Sequence, residues 1–136
     1  METSAQATVQ IVKQIYADFG TGNIPGVLSK LDENVTWVDP GNVSGLYEGT
    51  RKGKQSVANF FNQLGSLIEV SSFDVKQLFE YDGTVYAIGQ IGGTTRNLKK
   101  QMDTDWVMLW KFNDKGLVTF HQLYLDTKKI ADAIGA

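Results

Sequence analysis

One carboxyl group in the sequence stands where its surroundings would suit proton transfer. Asp39 precedes Pro40 and follows Trp37 by two positions, so a strand ending there carries the carboxyl group and the indole on the same face. Apolar surroundings would raise the pKa of this carboxyl group toward the range that is useful for proton transfer. An aspartate before a proline is equally typical of a turn. Both interpretations of Asp39 stay open at this point.

The composition excludes several other kinds of chemistry. The chain has no cysteine, which excludes disulfides, thiolate nucleophiles, iron–sulfur clusters and cysteine-based zinc sites. Its single histidine, His121, excludes a multi-histidine metal site within one chain, and we expect neither a metal nor a cofactor. The net charge of −2 does not indicate a nucleic-acid partner.

The length and the apolar pattern are those of a soluble domain. No apolar run approaches the length of a membrane helix, and the N-terminal segment lacks the charged-then-apolar order of a secretory signal. We therefore expect no membrane association and a cytoplasmic location. With 136 residues, 42% of them hydrophobic, the chain has the length of one domain spanning residues 1–136 and can bury a core.

The first half of the chain is predicted to be mostly helical. Apolar residues recur at three- and four-residue spacing over residues 4–19 and 54–68, the pattern of helices that are buried on one side. Asn23, with Pro25 shortly after it, predicts the start of a short second helix. Residues 34–39 alternate and predict a short strand, and the glycine-rich residues 41–53 predict a loop.

From residue 72 onward the apolar period changes to two. Strands are predicted over residues 73–81, 84–92, 102–112 and 117–126, and a closing helix over residues 128–134. Turn signals between neighbouring strands predict antiparallel hairpins. Helices followed by an antiparallel meander predict an α+β fold, with the helices packed on one face of a curved sheet.

The order of these elements and several short strings resemble one known family. The strings are TWVDP at 36–40, GLYEG at 45–49, FF at 60–61 and YLD at 124–126. Over nearly its whole length the chain resembles the NTF2-like superfamily, in its SnoaL-like and ketosteroid-isomerase-like branch. The resemblance implies a cone in which a bent, mostly antiparallel sheet wraps around the N-terminal helices and leaves an apolar pocket between them. Isomerases, cyclases, dehydratases, epoxide hydrolases and non-enzymatic binders share this shell, so the fold does not decide the function.

Compared with the ketosteroid isomerases, the chain matches the base and lacks the other catalytic groups. The resemblance places Asp39 at the position of their proton-shuttling carboxylate. At the position of their tyrosine the chain has Ile15, with Tyr16 beside it and turned by about 100° on a helix. Met108 stands at the position of their second acid and cannot donate a hydrogen bond. We therefore do not expect true ketosteroid isomerisation.

Two further activities of the superfamily fit the chain poorly. The epoxide hydrolases need two carboxylates bridged by an arginine. Asp103 and Asp105 share a strand face, but Arg51 and Arg96 both lie in predicted loops, so we interpret the two aspartates as a solvated edge. The scytalone dehydratases need histidines beside an aspartate, and alternation places His121 on the strand face away from the pocket, as a packed or interface residue.

The SnoaL-like cyclases, which close polyketide rings by aldol chemistry, are the remaining match. The resemblance makes Asp39 and Asp126 the catalytic candidates, although Asp126 is also placed to cap the last helix. The enolate formed by proton removal needs a hydrogen-bond donor, which Tyr124, Gln122 or a tryptophan N–H could supply. Strand alternation and the resemblance together predict these substrate-binding residues: Ile15, Tyr16, Phe19, Trp37, Tyr47, Phe60, Trp106, Met108, Trp110, Phe120, Gln122 and Tyr124.

The opposite face of the sheet is also predicted to be apolar. It would carry Val107, Leu109, His121, Leu123 and Leu125, a surface too apolar to leave in water. In the resembling family this surface commonly pairs two subunits. We therefore expect a homodimer in which each sheet contributes the same patch.

Three functions remain open. The first is a cofactor-independent enzyme of the isomerase, cyclase or lyase type, in which Asp39 accepts a proton from an apolar carbonyl or ring-containing substrate. The second is a non-catalytic binder of a hydrophobic small molecule in the same pocket. The third is a protein-interaction module, as in nuclear transport factor, and the predicted pocket favours the first two over it.

Overall fold

The structure, a computed structural model, describes residues 5–136. The predicted helix start at residue 4, and the first four residues of the segment in which we found no secretory signal, lie outside this range. The described chain forms ten elements in this order: α1 Ala5–Gly20, α2 Ile24–Ser29, β1 Leu31–Val38, β2 Thr50–Lys52, α3 Lys54–Leu67, β3 Ile68–Tyr81, β4 Thr84–Thr95, β5 Gln101–Phe112, β6 Val118–Leu125 and α4 Thr127–Ile134.

The strands form one open sheet in the order β2-β1-β6-β5-β4-β3. Neighbouring strands are antiparallel except β1 and β6, which are parallel. Helices α1 and α3 pack against the sheet, and the hydrophobic core lies between the two layers. The predicted α+β fold with a mostly antiparallel sheet is therefore confirmed. Within residues 5–136, no helix is both long enough and apolar enough to cross a membrane.

The helices form where the apolar periodicity predicts them. Val12 and Ile15 on α1, and Val57 and Leu64 on α3, are buried on the sides that face the sheet. The short helix α2 begins after Asn23, whose side-chain oxygen accepts a hydrogen bond of 3.1 Å from the backbone N–H of Gly26. This cap satisfies one of the N–H groups that a helix start leaves without a partner.

One short strand lies in the segment that we predicted to be a loop. Strand β2 pairs with β1, and Arg51 stands opposite Trp37. Only three residues long, β2 has no apolar alternation of its own, and the pairing with β1 is what makes it a strand. The prediction that Arg51 lies in a loop was therefore wrong. Its guanidinium group instead donates to the side chain of Gln63 over 2.6 Å and to the carbonyl of Leu46 over 3.2 Å.

The predicted orientation of β6 was wrong. Cross-strand pairing places His121 opposite Trp110 and Leu123 opposite Met108, so these two β6 side chains share the inner face of the sheet with the β5 residues that face the helices. Leu125 lies opposite Trp106 in the same way. Conversely, the predicted pocket residues Phe120, Gln122 and Tyr124 lie on the outer face.

A β-bulge explains the difference. Phe112 pairs with Val118, and this pairing continued without interruption would place Phe120 opposite Trp110, on the inner face that we predicted for it. The register shifts by one residue next to Phe112, so that Lys111 pairs with Phe120. Thr119 is thus the extra residue on β6. A one-residue shift moves every later side chain of a strand to the other face of the sheet.

The outer face of the sheet carries an apolar patch, but its residues differ in part from those that we predicted. Val107 and Leu109 lie there as predicted, whereas His121, Leu123 and Leu125 do not. Val107 is 36% exposed and Tyr124 is 50% exposed. We call the following residues the outer patch: Tyr86, Ile88, Val107, Leu109, Phe120 and Tyr124. The exposed residues Asp103 and Asp105 lie near the start of β5, in agreement with a solvated edge.

Candidate functional site

A cavity of about 70 Å³ lies between α1, α3 and the inner face of the sheet. For comparison, an engineered cavity of about 150 Å³ in another protein holds one benzene molecule. We call this site the aromatic cavity, and its walls are formed by Ile15, Tyr16, Phe19, Val27, Trp37, Tyr47, Phe60, Phe61, Leu64, Phe73, Ile91, Trp106, Met108, Trp110, His121, Leu123 and Leu125.

Most of the predicted substrate-binding residues line this cavity. They are Ile15, Tyr16, Phe19, Trp37, Tyr47, Phe60, Trp106, Met108 and Trp110. Phe120, Gln122 and Tyr124 do not line it, because the bulge in β6 turns them outward. The same bulge brings in His121, Leu123 and Leu125, which we had placed on the outer face.

Tyr16 connects α1 to the sheet through two hydrogen bonds inside the cavity wall. Its hydroxyl oxygen accepts a hydrogen bond of 3.0 Å from Trp110 Nε1 and its hydroxyl group lies 3.3 Å from the sulfur of Met108, to which it donates. Burial raises the pKa of Tyr16 well above its ordinary value, so the hydroxyl group stays protonated. The donor and acceptor capacity of this hydroxyl group is thus used within the protein.

Trp106 packs closely against β4 because its cross-strand partner, Gly89, has no side chain. A Cβ atom at Gly89 would overlap the Trp106 indole and the carbonyl oxygen of Asp74. On its other side the indole stacks on Phe73, with ring centroids 5.0 Å apart and planes inclined by 17°. The buried Nε1 of Trp106 has no hydrogen-bond partner among residues 5–136.

His121 lies between two tryptophans on the cavity wall. Its strand, β6, runs between β1 and β5, which place Trp37 on one side of the imidazole and Trp110 on the other. The ring centroid of His121 is 3.9 Å from that of Trp37 and 4.3 Å from that of Trp110. Burial lowers the pKa of His121 to about 3, so the imidazole is neutral at physiological pH.

Asp39 is buried but does not line the cavity. Its Oδ1 accepts hydrogen bonds of 2.8 Å from the backbone N–H groups of both Gly41 and Gly49, and so joins the two ends of the intervening loop. Tyr47 on that loop does line the cavity, and burial, assisted by the charge of Asp39, raises the pKa of its hydroxyl group. Asp39 therefore has the geometry of a turn residue, and its charge acts on the hydroxyl group of Tyr47.

Asp126 caps helix α4. Its Oδ1 accepts hydrogen bonds from the backbone N–H groups of Lys128 over 3.1 Å and of Lys129 over 3.2 Å. The side chain is exposed and does not line the aromatic cavity. The structural alternative for Asp126 thus accounts for its geometry.

Among the described residues, no group of three His, Asp or Glu side chains is placed to hold a metal ion.

The comparisons with known proteins agree with this architecture. Residues 12–121 match the family model of the SnoaL-like domain. The chain belongs to the SnoaL-like family. No curated protein matches the chain in sequence.

Solved structures of the NTF2-like fold superimpose on the SnoaL-like chain over nearly its whole length. A protein of unknown function from Burkholderia pseudomallei K96243 is 26% identical, with a TM-score of 0.86 over 95% of this chain and 98% of its own. A protein from Burkholderia xenovorans LB400 is 27% identical, with a TM-score of 0.84 over 97% and 98% of the two chains. A protein from Catenulispora acidiphila DSM 44928 with a ketosteroid-isomerase-like fold is 16% identical, with a TM-score of 0.76 over 92% of each chain. The predicted NTF2-like membership is confirmed.

The burial of His121 predicts a loss of stability in mild acid. The unfolded chain takes up a proton at this histidine below about pH 6.5, whereas the folded chain resists protonation until about pH 3. The free energy of unfolding should therefore fall by about 2 kcal/mol between about pH 7.5 and about pH 5. Urea denaturation at the two pH values measures this change. His121→Phe should lack it, since the chain has no other histidine, and an equal loss in the variant would contradict the assignment.

Proposed function

We propose that this SnoaL-like protein binds a compact, neutral, largely apolar molecule in the aromatic cavity. The observation that carries the proposal is the cavity wall itself, because it consists of aromatic and aliphatic side chains and, among the described residues, contains no carboxylate, lysine or arginine. Sites of this kind favour apolar ligands and fix their orientation with a few polar groups. This is the non-catalytic alternative of the sequence analysis, and it requires no proton transfer.

Three phenylalanines separate the aromatic cavity from the protein surface. Phe19, Phe61 and Phe73 line the aromatic cavity and also line an open groove on the protein surface, so they form the wall between the two. Each of the three is only half-buried. A ring-sized ligand exceeds 70 Å³, and displacement of these side chains would admit it.

Binding can be followed with the protein's own tryptophans. All three of them, Trp37, Trp106 and Trp110, line the cavity. Titration with cyclohexanone should therefore change the tryptophan fluorescence saturably. Ile15→Phe fills the cavity and should weaken binding at least tenfold, because Ile15 is part of its wall.

A matched substitution one turn earlier on α1 is the control. Ile11 packs against the core but does not line the cavity. Ile11→Phe should leave the affinity within about twofold of the parent protein, with thermal unfolding used to verify that both variants fold. Equal affinities for the two variants, or a signal that does not saturate, would refute the proposed site.

Proton transfer with Asp39 as the acceptor is a second candidate function. The observation in its favour is that Asp39 Oδ2 is buried and has no hydrogen-bond partner among residues 5–136, so one carboxyl oxygen is uncommitted. The charge of Asp39 also acts on Tyr47 at the cavity wall. Asp39 does not line the aromatic cavity, so this candidate requires the Tyr47 side chain to move aside. The carboxylate then removes a proton next to the carbonyl group of a bound ketone and returns a proton to the same carbon.

Isotope exchange tests the second candidate. In D₂O the parent protein should exchange the hydrogens next to the carbonyl group of cyclohexanone, which ¹H NMR detects. Asp39→Asn should fold, because Oδ1 still accepts from Gly41 and Gly49, but it should lose at least 90% of the exchange rate (roughly tenfold). Asp126→Asn serves as the control and should exchange at the parent rate. Exchange by Asp39→Asn at the parent rate would eliminate Asp39 as the base and leave binding alone.

A second copy of the chain is the partner that we propose for the outer patch. The patch is apolar, lies on one sheet face and contains the half-exposed Tyr124, and a self-complementary sheet face suits an isologous dimer. Size-exclusion chromatography with light scattering should give a dimer for the parent protein and a monomer for Tyr124→Lys. Tyr81→Lys, on an exposed tyrosine outside the patch, should remain a dimer. A dimeric Tyr124→Lys variant would place the interface elsewhere.

A further inference from the structure

His121 is the residue of the cavity wall with two buried polar atoms that nothing in the described chain satisfies; the other unsatisfied group of the wall, Trp106 Nε1, is a single donor. Neither Nδ1 nor Nε2 has a hydrogen-bond partner among residues 5–136, although both atoms are removed from bulk solvent. A neutral imidazole has one N–H donor and one nitrogen acceptor. Buried polar atoms in proteins almost always have a partner. An imidazole left without any is therefore a feature that needs an explanation.

The neighbours of His121 cannot supply the missing hydrogen bonds. Trp37 and Trp110 contact it with their ring systems, and the indole N–H of Trp110 is already donated to Tyr16. The Tyr16 hydroxyl group in turn donates to Met108. Asp39, the predicted base, uses Oδ1 for the loop and does not line the cavity. The remaining partner is a molecule that enters the cavity.

We propose that His121 is the recognition residue of the aromatic cavity and selects neutral ring compounds that carry a single carbonyl or hydroxyl oxygen. This inference rests on the proposed binding function and adds the class of ligand. A carbonyl oxygen accepts from the imidazole N–H, whereas a hydroxyl group donates to the other nitrogen. The two tryptophans hold the imidazole between them, so its orientation is set before the ligand binds.

The charge state of the cavity supports a neutral ligand. Burial keeps the imidazole uncharged, and the described residues of the wall contain no lysine or arginine. A carboxylate or phosphate ligand would lose its hydration without gaining a cation. A hydrocarbon without any oxygen would leave the imidazole as unsatisfied as before. The uncharged wall and the unsatisfied imidazole together favour ketones, alcohols and phenols over anions on the one hand and over hydrocarbons on the other.

Matched ligands test the inference directly. Cyclohexanone and methylenecyclohexane have similar shapes, but only the ketone has an oxygen that accepts a hydrogen bond. The parent protein should bind the ketone on the order of tenfold more tightly. Phenol is a stronger hydrogen-bond donor and a weaker acceptor than cyclohexanol, so tighter binding of phenol would indicate that the imidazole accepts from the ligand, and tighter binding of cyclohexanol that it donates. Fluorescence of the cavity tryptophans gives the affinities.

Two variants separate recognition from packing. His121→Phe keeps an aromatic ring between the tryptophans and should lose the preference for the ketone while it still binds methylenecyclohexane. His121→Gln retains a donor and an acceptor and should recover part of the preference. In the parent protein, ¹⁵N NMR of the imidazole should shift with cyclohexanone and not with methylenecyclohexane. The assignment is unambiguous because the chain has one histidine, and this measurement does not depend on whether a variant folds.

The outcomes distinguish this inference from the proposed function. Equal affinity of the parent protein for the two compounds, with no imidazole shift, would overturn the role of His121 and leave the cavity as an apolar binding site. A preference that persists in His121→Phe would also overturn it. Binding of neither compound would refute the proposed function and this inference with it.

Discussion

The register between β5 and β6 determines which side chains enclose the cavity. Trp110 stands opposite His121 only because Thr119 is an extra residue on β6. Without this bulge, Phe120, Gln122 and Tyr124 would face the helices, and an amide would replace a leucine inside the core. Parallel pairing with β1 then adds Trp37 on the other side of His121. The position of His121 between two tryptophans is thus determined by the register of three strands, β1, β6 and β5.

Some polar groups around the cavity have a hydrogen-bond partner within the chain, and others have none. The Trp110 N–H donates to the Tyr16 hydroxyl oxygen and the Tyr16 hydroxyl group donates to Met108, which attaches α1 to the sheet, so these donors contribute to folding and are not available to a ligand. His121, and the indole N–H of Trp106, have no partner in the described chain. A buried polar group without a partner costs about 1–3 kcal/mol. A fold tolerates such a cost most readily where a ligand can remove it, since binding to the folded state alone also stabilises that state.

The parts of the structure that the sequence could predict are those set by local pattern. Helix α3 follows from the spacing of Val57, Phe60 and Leu64, since the buried side of a helix is determined by its own residues. Strand alternation on β5 correctly placed Trp106 and Met108 inside.

On β6 the same alternation separated the two faces of the strand but could not say which one faces the helices. Both faces carry apolar residues there, and the decision depends on a bulge that only the pairing with β5 reveals. The geometry of Asp39 likewise depends on Gly49, ten residues away, because the carboxyl group accepts a hydrogen bond from the backbone N–H of that glycine.

The cavity wall is built partly by central strands and partly by an edge strand and a helix, which differ in how freely they can move, and this relates the fold to the size of the ligand. Trp37, His121 and Trp110 stand on β1, β6 and β5, which are central strands held by pairing on both sides. Phe73 stands on the edge strand β3, and it meets Phe19 of α1 at a centroid distance of 5.0 Å. An edge strand and a helix surface can shift without breaking central pairings. A cavity of 70 Å³ can therefore enlarge by displacement of Phe19 and Phe73 while the paired strands that carry His121 and its two tryptophans keep their geometry, so ligands of different size would still present their oxygen to the same two nitrogens.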